Sequence, residues 1–445
     1  VHPEGDRGAD GITDSAASVR SGLVEHDHGV HGHEPSAAPA GDTRSGDRAP
    51  RPERGGRPAR HRGKPRLPGK AAARNGQAGE GPGRAPGSAP AGRAAGEPVY
   101  GALDLGTNNC RLLIARRTRE GFRVIDAYSR IVRLGEGLGA TGRLGDAAME
   151  RAVEALKICA DKMTRRGVTR ARTIATEACR MAGNGRDFIE RVRVETGLTL
   201  DIVSTEDEAR LAVAGCAPLL DRNCGSALVF DIGGGSTELI WVTTGQAGER
   251  ADKGRIRPRI EDWTSLSCGV VTLAERHGGV DVPGAVYERM VDEVSERIEP
   301  FMARLRAGGG AAPAPGGFHL LGTSGTVTTI AGVHLGLPRY DRNRVDGAWI
   351  TPGDVRQVTR HLLDMNYETR AAHPCVGRER ADLVLAGCAI FEAIARAWPA
   401  ERLRVADRGL REGILLSLIE ADSGRQRRRR RRRRRSARPA QAERT

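Results

Sequence analysis

Two short stretches of the chain carry residue types that grip phosphate. In the first, Asp104-Leu-Gly106-Thr107-Asn108-Asn109-Cys110-Arg111, a carboxylate closes an apolar run and is followed by Gly106, which can turn the backbone sharply. Consecutive main-chain N–H groups, the Thr107 hydroxyl and the Asn108 and Asn109 side chains can surround a phosphate there, and Arg111 can neutralise it. In the second, Asp231-Ile-Gly233-Gly234-Gly235-Ser236-Thr237-Glu238, three glycines let an anion reach the main chain without obstruction. Asp231 and Glu238 offer hard oxygen ligands for magnesium or a similar cation. Either stretch alone reads equally well as a glycine-containing hairpin with a polar tip. Two of them, each opening on a strand-terminal Asp, point to a pair of phosphate loops serving one active site.

Regular elements must hold these loops in place. Apolar runs flank the first loop between residues 100 and 115, as in two strands joined by a tight turn, and a third strand is expected over 122–132. Helical periodicity covers 146–165, where Ala148, Ala152, Ala155, Ile158, Cys159 and Met163 recur at three- and four-residue steps. A strand at 171–175, a helix at 186–195, a strand at 200–204 and a helix at 206–217 complete a mixed α/β lobe over 98–225. From residue 226 the order of strand (226–231), glycine turn (233–235) and strand (238–242) starts again. That internal echo predicts a second α/β lobe, 226–421, facing the first across a cleft. Its further elements are expected as strands at 263–266 and 319–321, helices at 283–306, 326–333, 352–366 and 378–398, and a Gly/Ala/Pro loop at 308–317. A closing helix at 410–419 could return to the first lobe.

The formal charge of +15 over 445 residues suggests a nucleic-acid-binding protein until it is divided by segment. Residues 1–97 carry 15 basic and 12 acidic side chains and residues 422–445 carry 12 and 2, which leaves 44 and 42 for the middle. The folding part is nearly neutral, so any polyanion-binding role belongs to the tails. Residues 1–98 contain no Phe, Tyr, Trp or Cys and cannot bury enough apolar area to offset their conformational entropy; the tail 1–97 is read as disordered. Disorder is expected over 422–445 as well, where nine arginines run unbroken from 427 to 435. The eight cysteines (110, 159, 179, 216, 224, 268, 375, 388) form no C-x-x-C pair, which excludes a metal knuckle and suits reduced, buried thiols. No apolar run reaches the ~18 residues that span a bilayer, and no secretory signal is evident, so a cytoplasmic protein without membrane attachment is expected. The opening Val1, rather than a Met, suggests that the true start of translation lies elsewhere.

The loop pair resembles those of the actin-like, sugar-kinase and Hsp70-type ATPase superfamily, and more closely those of the exopolyphosphatase and guanosine pentaphosphate phosphohydrolase family. The resemblance covers residues 98–421 and takes in Ala175-Thr-Glu-Ala178-Cys-Arg180, Glu206-Asp207-Glu208-Ala209-Arg210, Ser265-Leu-Ser-Cys268-Gly269, Gly322-Thr-Ser-Gly325-Thr326, Arg378-Glu-Arg380-Ala-Asp382 and Asp407-Arg-Gly-Leu-Arg-Glu412-Gly413. It implies two actin-like (ribonuclease H-like) lobes. It also implies Glu208 as the general base that activates water, and Asp231, Glu238 and Asp104 as ligands of Mg2+ or another divalent cation. Ser236 and the glycines of the second loop become phosphate ligands, with Arg111 and Arg180 as cationic contacts and Cys268 and Arg380 as further substrate-binding candidates. Taken without that context, Glu208 reads as a helix residue paired with Arg210 or Arg180, and Arg180 as an ion-pair partner. Arg380 reads equally as a partner of Asp382 or Glu379. The first loop departs from many relatives in having Thr107 and Asn109-Cys110 where they have serines, and the C-terminal helical domain of longer members, with its His-Asp pair, is not matched. His361 and Asp364, one turn apart, read as an ordinary helix surface.

The implied activity is magnesium-dependent release of terminal phosphate from inorganic polyphosphate or guanosine pentaphosphate, and relatives of this kind imply a homodimer. One alternative keeps the fold and makes the chain an ATP-dependent kinase or ATPase. Another makes it a binding protein whose arginine run holds polyphosphate or nucleic acid by counterion release.

Overall fold

The computed structural model describes residues 97–244, 258–308 and 317–436, with side chains described to residue 425. The expected N-terminal tail, apart from Glu97, lies outside the described residues, as do most of the loop at 308–317 and residues 437–445.

The first lobe opens with strands β1 (Val99–Leu105), β2 (Asn109–Arg117) and β3 (Phe122–Ile131). It continues through helices α1 (Leu138–Thr141) and α2 (Asp146–Arg165), strand β4 (Arg170–Ala175), helices α3 (Glu177–Met181) and α4 (Gly185–Thr196), strand β5 (Asp201–Ile202) and helix α5 (Thr205–Cys216). The sheet order is β3-β2-β1-β4-β5. A turn too short for a crossover makes β1 and β2 antiparallel, whereas the long excursion through α2 brings β4 back parallel to β1. All seven residues of β1 are buried, because both faces of this central strand are covered. Leu103 and Leu105 face the α2 side, and Tyr100 and Ala102 face the other. Strand alternation then puts Asp104 on the Tyr100 face, at the end where the strand breaks off.

The second lobe repeats this plan. Its elements are β6 (Ser226–Ile232), β7 (Thr237–Thr243), β8 (Arg259–Leu266), α6 (Val270–His277), α7 (Gly284–Ala307), β9 (Phe318–Thr323), α8 (Gly325–His334), α9 (Arg342–Val345), β10 (Trp349–Ile350), α10 (Pro352–Asp364), α11 (Tyr367–Ala372), α12 (Val384–Ala397), β11 (Leu403–Ala406) and α13 (Leu410–Ser436). The order is β10-β11-β9-β6-β7-β8, with β6 antiparallel to β7 and parallel to β9. The register makes the echo concrete: Asp104 stands opposite Arg111 in one hairpin, and Asp231 opposite Glu238 in the other.

Two helices tie the lobes together. α5 buries Leu211 with Tyr100 and Ile414 on one side, and Ala209, Ala212 and Val213 with Val229 and Ile240 on the other. α13 lies on the first lobe, where Ile414 and Leu415 pack beside Tyr100 and Ala102. Helix crosses helix on bare backbone, since a Cβ on Gly413 would sit 2.0 Å from the Leu211 carbonyl oxygen and one on Gly215 1.9 Å from that of Gly409.

Some expectations are corrected. The strand at 200–204 shrinks to Asp201–Ile202, and the helix expected from residue 378 begins at Val384 after a series of turns. The helical backbone of α13 continues to Ser436, into the arginine run. An existing helix needs no new nucleus and arginine is a good helix former. Asp422 also anchors the helix through the Tyr100 hydroxyl (3.3 Å) and Arg170 (3.4 Å). No helix among the described residues is long and apolar enough to cross a membrane, and all eight cysteines are buried and free.

Candidate active site

The two hairpin turns face each other at the floor of a cleft of about 530 Å3 lined by both lobes. Each turn is closed in the same way, Gly106 N–H donating to the Asn109 carbonyl (2.8 Å) and Gly233 N–H to the Ser236 carbonyl (2.9 Å). The glycines of the second turn also have a packing duty that the sequence did not reveal. A Cβ on Gly234 would lie 3.1 Å from Asn108 N, and one on Gly235 2.8 Å from Thr107 Oγ1, so these glycines let one turn rest on the other. From behind, Val270 and Val271 N–H groups of α6 donate to the carbonyls of Gly233 and Gly234 (3.0 and 2.8 Å) and fix the turn.

Acidic groups gather at this floor. Asp104 has an Oδ1 with no hydrogen-bond partner, and burial raises its pKa despite nearby Arg111. Burial pushes Asp231 up to about 6, with Asp104 adding to the rise and Arg111 opposing it. Glu238 is pushed up to about 7 by burial and the charge of Asp231, although Ser236 and Ser265 hydroxyls donate to its Oε1 (2.7 and 2.9 Å). Glu208, in the first turn of α5, is raised well above the ordinary carboxylate range by burial and then by Glu238, while Arg180 opposes the shift. Ser204 caps that helix by accepting from Asp207 N–H (3.1 Å), which fixes the turn carrying Glu208.

Three arginines share the cleft with these carboxylates. Arg111 from β2, Arg380 from the turn before α12 and Arg411 from the first turn of α13 all line the cleft, and none makes a salt bridge among the described residues. Burial, and then the charge of Arg111, lowers the pKa of Arg380; burial and the same charge act on Arg411. Arg111 repels both of the others, and three guanidinium groups gathered in one cleft suit a multiply charged anion. Neighbouring cations are already committed, Arg342 to Asp407 and Glu412 (3.3 and 2.9 Å) and Arg408 to Asp346. Further along the wall Ser324 holds a left-handed backbone (φ 117°) and caps α8 by accepting from Thr326 N–H (3.2 Å).

Of the residues singled out in the sequence, Asp104, Gly106, Thr107, Asn108, Asn109, Arg111, Glu208, Asp231, Gly233, Gly234, Gly235, Ser236, Glu238 and Arg380 line the cleft. Arg180 and Cys268 are not among the residues that line it. Arg180 lies behind Glu208 and is fully used, donating to Glu177 Oε2 (2.5 Å), Glu208 Oε2 (3.2 Å) and the Val203 carbonyl (2.7 Å). It orients Glu208, while Arg210 pairs with Glu206 (2.6 Å). Cys268 is fully buried; its carbonyl accepts from the Thr237 hydroxyl (2.6 Å), so the segment braces the second turn. Arg380 bonds neither Asp382 nor Glu379 but reaches Thr329 Oγ1 (3.3 Å).

No three His, Cys, Asp or Glu side chains converge into a preformed metal cluster among the described residues. Asp104 with its orphaned oxygen, and Asp231 and Glu238 with raised pKa values, still make up a donor set short of positive charge. That fits a cation that takes one or two carboxylates and completes its shell with water and substrate phosphate, as Mg2+ does.

Arg411 and Glu177 were missed. Arg411 could have been found, because an arginine in the first turn of a helix opposes the macrodipole and calls for another reason to be there. Glu177, which lines the cleft and shares Arg180 with Glu208, gave no such signal.

The profile of the Ppx/GppA phosphatase family matches residues 113–422. A crystal structure of the Aquifex aeolicus member of that family aligns with 28% identity and a TM-score of 0.59, covering 73% of this chain and 98% of that one. An exopolyphosphatase-like protein aligns at 28% identity and TM-score 0.61 over 72% and 98% of the two chains. An exopolyphosphatase from Cytophaga hutchinsonii, 22% identical over 73% and 98%, shares the fold with a TM-score of 0.64. The two facing lobes are of the actin-like kind. The profile begins within β2, so the first turn is matched to the second by the equivalent hairpins of the two lobes.

Proposed function

Since the chain belongs to the Ppx/GppA phosphatase family, we propose that it releases terminal phosphate from inorganic polyphosphate or guanosine pentaphosphate by attack of water that Glu208 orients. The observation that carries this reading is the composition of one cleft, in which both turns, Glu208 and three arginines that make no salt bridge among the described residues come together.

Hydrolysis of a phosphoanhydride needs charge neutralisation, alignment and a proton acceptor more than a strong nucleophile. Arg111, Arg380 and Arg411 neutralise the terminal phosphoryl group, and the two turns hold it by main-chain N–H groups, the Thr107 hydroxyl and the Asn108 amide. Glu208 accepts the proton of the attacking water; the bond to the next bridging oxygen breaks, and the shortened chain leaves as an anion. Its raised pKa makes Glu208 a better base than an exposed carboxylate, and Arg180 keeps enough of it ionised to act. A divalent cation held by one or two of Asp104, Asp231 and Glu238, its shell completed by water and substrate, would supply neutralisation at the phosphate oxygens.

Phosphate release from each of the two substrates, with and without Mg2+, tests the proposal. The wild type is expected to act on at least one of them and to need the cation. Activity on neither, or activity indifferent to chelator, contradicts it.

A further inference from the structure

Arg133 does not line the cleft, and the role given to it here rests on the phosphate-gripping reading above. Arg133 follows β3 and is one of two non-glycine residues with positive φ (47°) among the described residues. Such a conformation persists only where surroundings fix it. Here Val132 and Arg133 N–H groups both donate to the Asn108 carbonyl (2.9 and 3.1 Å), and Gly135 N–H donates to that of Thr107 (2.9 Å). The Arg133 backbone is thus fastened to the first phosphate loop.

Its side chain leaves the first lobe. Nη1 and Nη2 bind the two oxygens of Asp382 (2.8 and 2.9 Å), a bidentate pair, and Nη2 also donates to the Glu379 carbonyl (3.1 Å). Glu379 and Asp382 bracket Arg380, whose guanidinium lies over Gly325 and makes one hydrogen bond, to Thr329. Gly137 N–H donates to Glu275 Oε1 (2.8 Å) beside this bridge, a second tie between the same loop and the second lobe.

We propose that Arg133 is a positioning residue: by holding the turn 379–382 against the first phosphate loop, it sets where Arg380 meets the substrate's phosphate. Arg133 acts through Arg380 and touches no substrate. Without the bridge, the turn is free of the first loop and Arg380 loses its fixed distance from Arg111.

The test is a double-mutant cycle of Arg133→Met and Arg380→Met, read as KM and kcat for tripolyphosphate hydrolysis and as the calorimetric Kd of tripolyphosphate. Arg133→Met is expected to raise KM and Kd about tenfold with a smaller change in kcat, and the double variant to match Arg380→Met within about twofold. Asp382→Asn, which leaves every arginine in place, is expected to raise KM about threefold and to lose that effect in the Arg380→Met background; it also serves if Arg133→Met does not fold. Fully multiplicative effects, or an unchanged KM in Arg133→Met, overturn the proposal. A wild type that binds tripolyphosphate without hydrolysing it contradicts the proposed function and leaves the cycle readable in Kd; no binding at all overturns both.

Discussion

Asp231→Asn is expected to stabilise the fold while it disables the site. Burial holds the Asp231 carboxyl at about 6 against an ordinary 3.8, so the folded state keeps its proton more tightly than the unfolded state does. Stability therefore falls as pH rises from about 4 to about 6, and above that the ionised group costs roughly 3 kcal/mol. Asparagine has nearly the same shape and no charge to desolvate, so the substitution removes this cost and relieves the repulsion that Asp231 exerts on Glu238 and Glu208. In chelator, thermal unfolding at pH 8 should show the variant melting roughly 5 °C above the wild type. At pH 4, where the wild-type carboxyl is already protonated in the folded state, the two should nearly coincide. Millimolar Mg2+ should narrow the gap at pH 8 by neutralising the wild-type site. A variant less stable than wild type at pH 8, or a gain of equal size at both pH values, would refute the electrostatic reasoning.

Other perturbations follow from the same geometry. Arg411→Met removes a buried guanidinium that makes no salt bridge among the described residues, so it should raise the melting temperature while raising KM by about tenfold or more, measured by calorimetry and phosphate release. Gly413→Ala drives a Cβ into the Leu211 carbonyl and pries α13 from α5; urea unfolding should show a loss of about 1–3 kcal/mol, and kcat should fall as the Glu208 helix shifts. Because Glu208 must be ionised to accept a proton and its pKa is raised, kcat/KM should decline with falling pH well above the ordinary carboxylate range. Arg180→Met should move that limb to still higher pH, since Arg180 is the group that favours the charged form.

Much of this was legible in the chain. Strand-terminal Asp followed by Gly marked both hairpins, and the repeat of that pattern from residue 226 foretold two lobes built on one plan. The bounds of α2 follow from its apolar periodicity, because one face packs on β2 and the other stays in water. What stayed hidden depends on contacts between distant segments. Arg180 reads as a cation available to phosphate until Glu177, Glu208 and the Val203 carbonyl are seen to consume it. Arg380 reads as a partner of Asp382 until Arg133, 249 residues away from that carboxylate, takes it. Glycine in the second loop reads as access for an anion, yet Gly234 and Gly235 equally serve the approach of Thr107 and Asn108. The eight residues of α6 and the four of β11 were too short for periodicity to declare them.

The central claim is that water is the nucleophile and Glu208 its proton acceptor. Single-turnover hydrolysis of polyphosphate in 18O-labelled water, run for the wild type and for Glu208→Gln, tests it most directly. The account predicts one 18O in each phosphate released by the wild type, and a variant slowed at least about a hundredfold in the chemical step with substrate affinity retained. Phosphate released without label, transfer to another acceptor, or an undiminished rate in Glu208→Gln would contradict it.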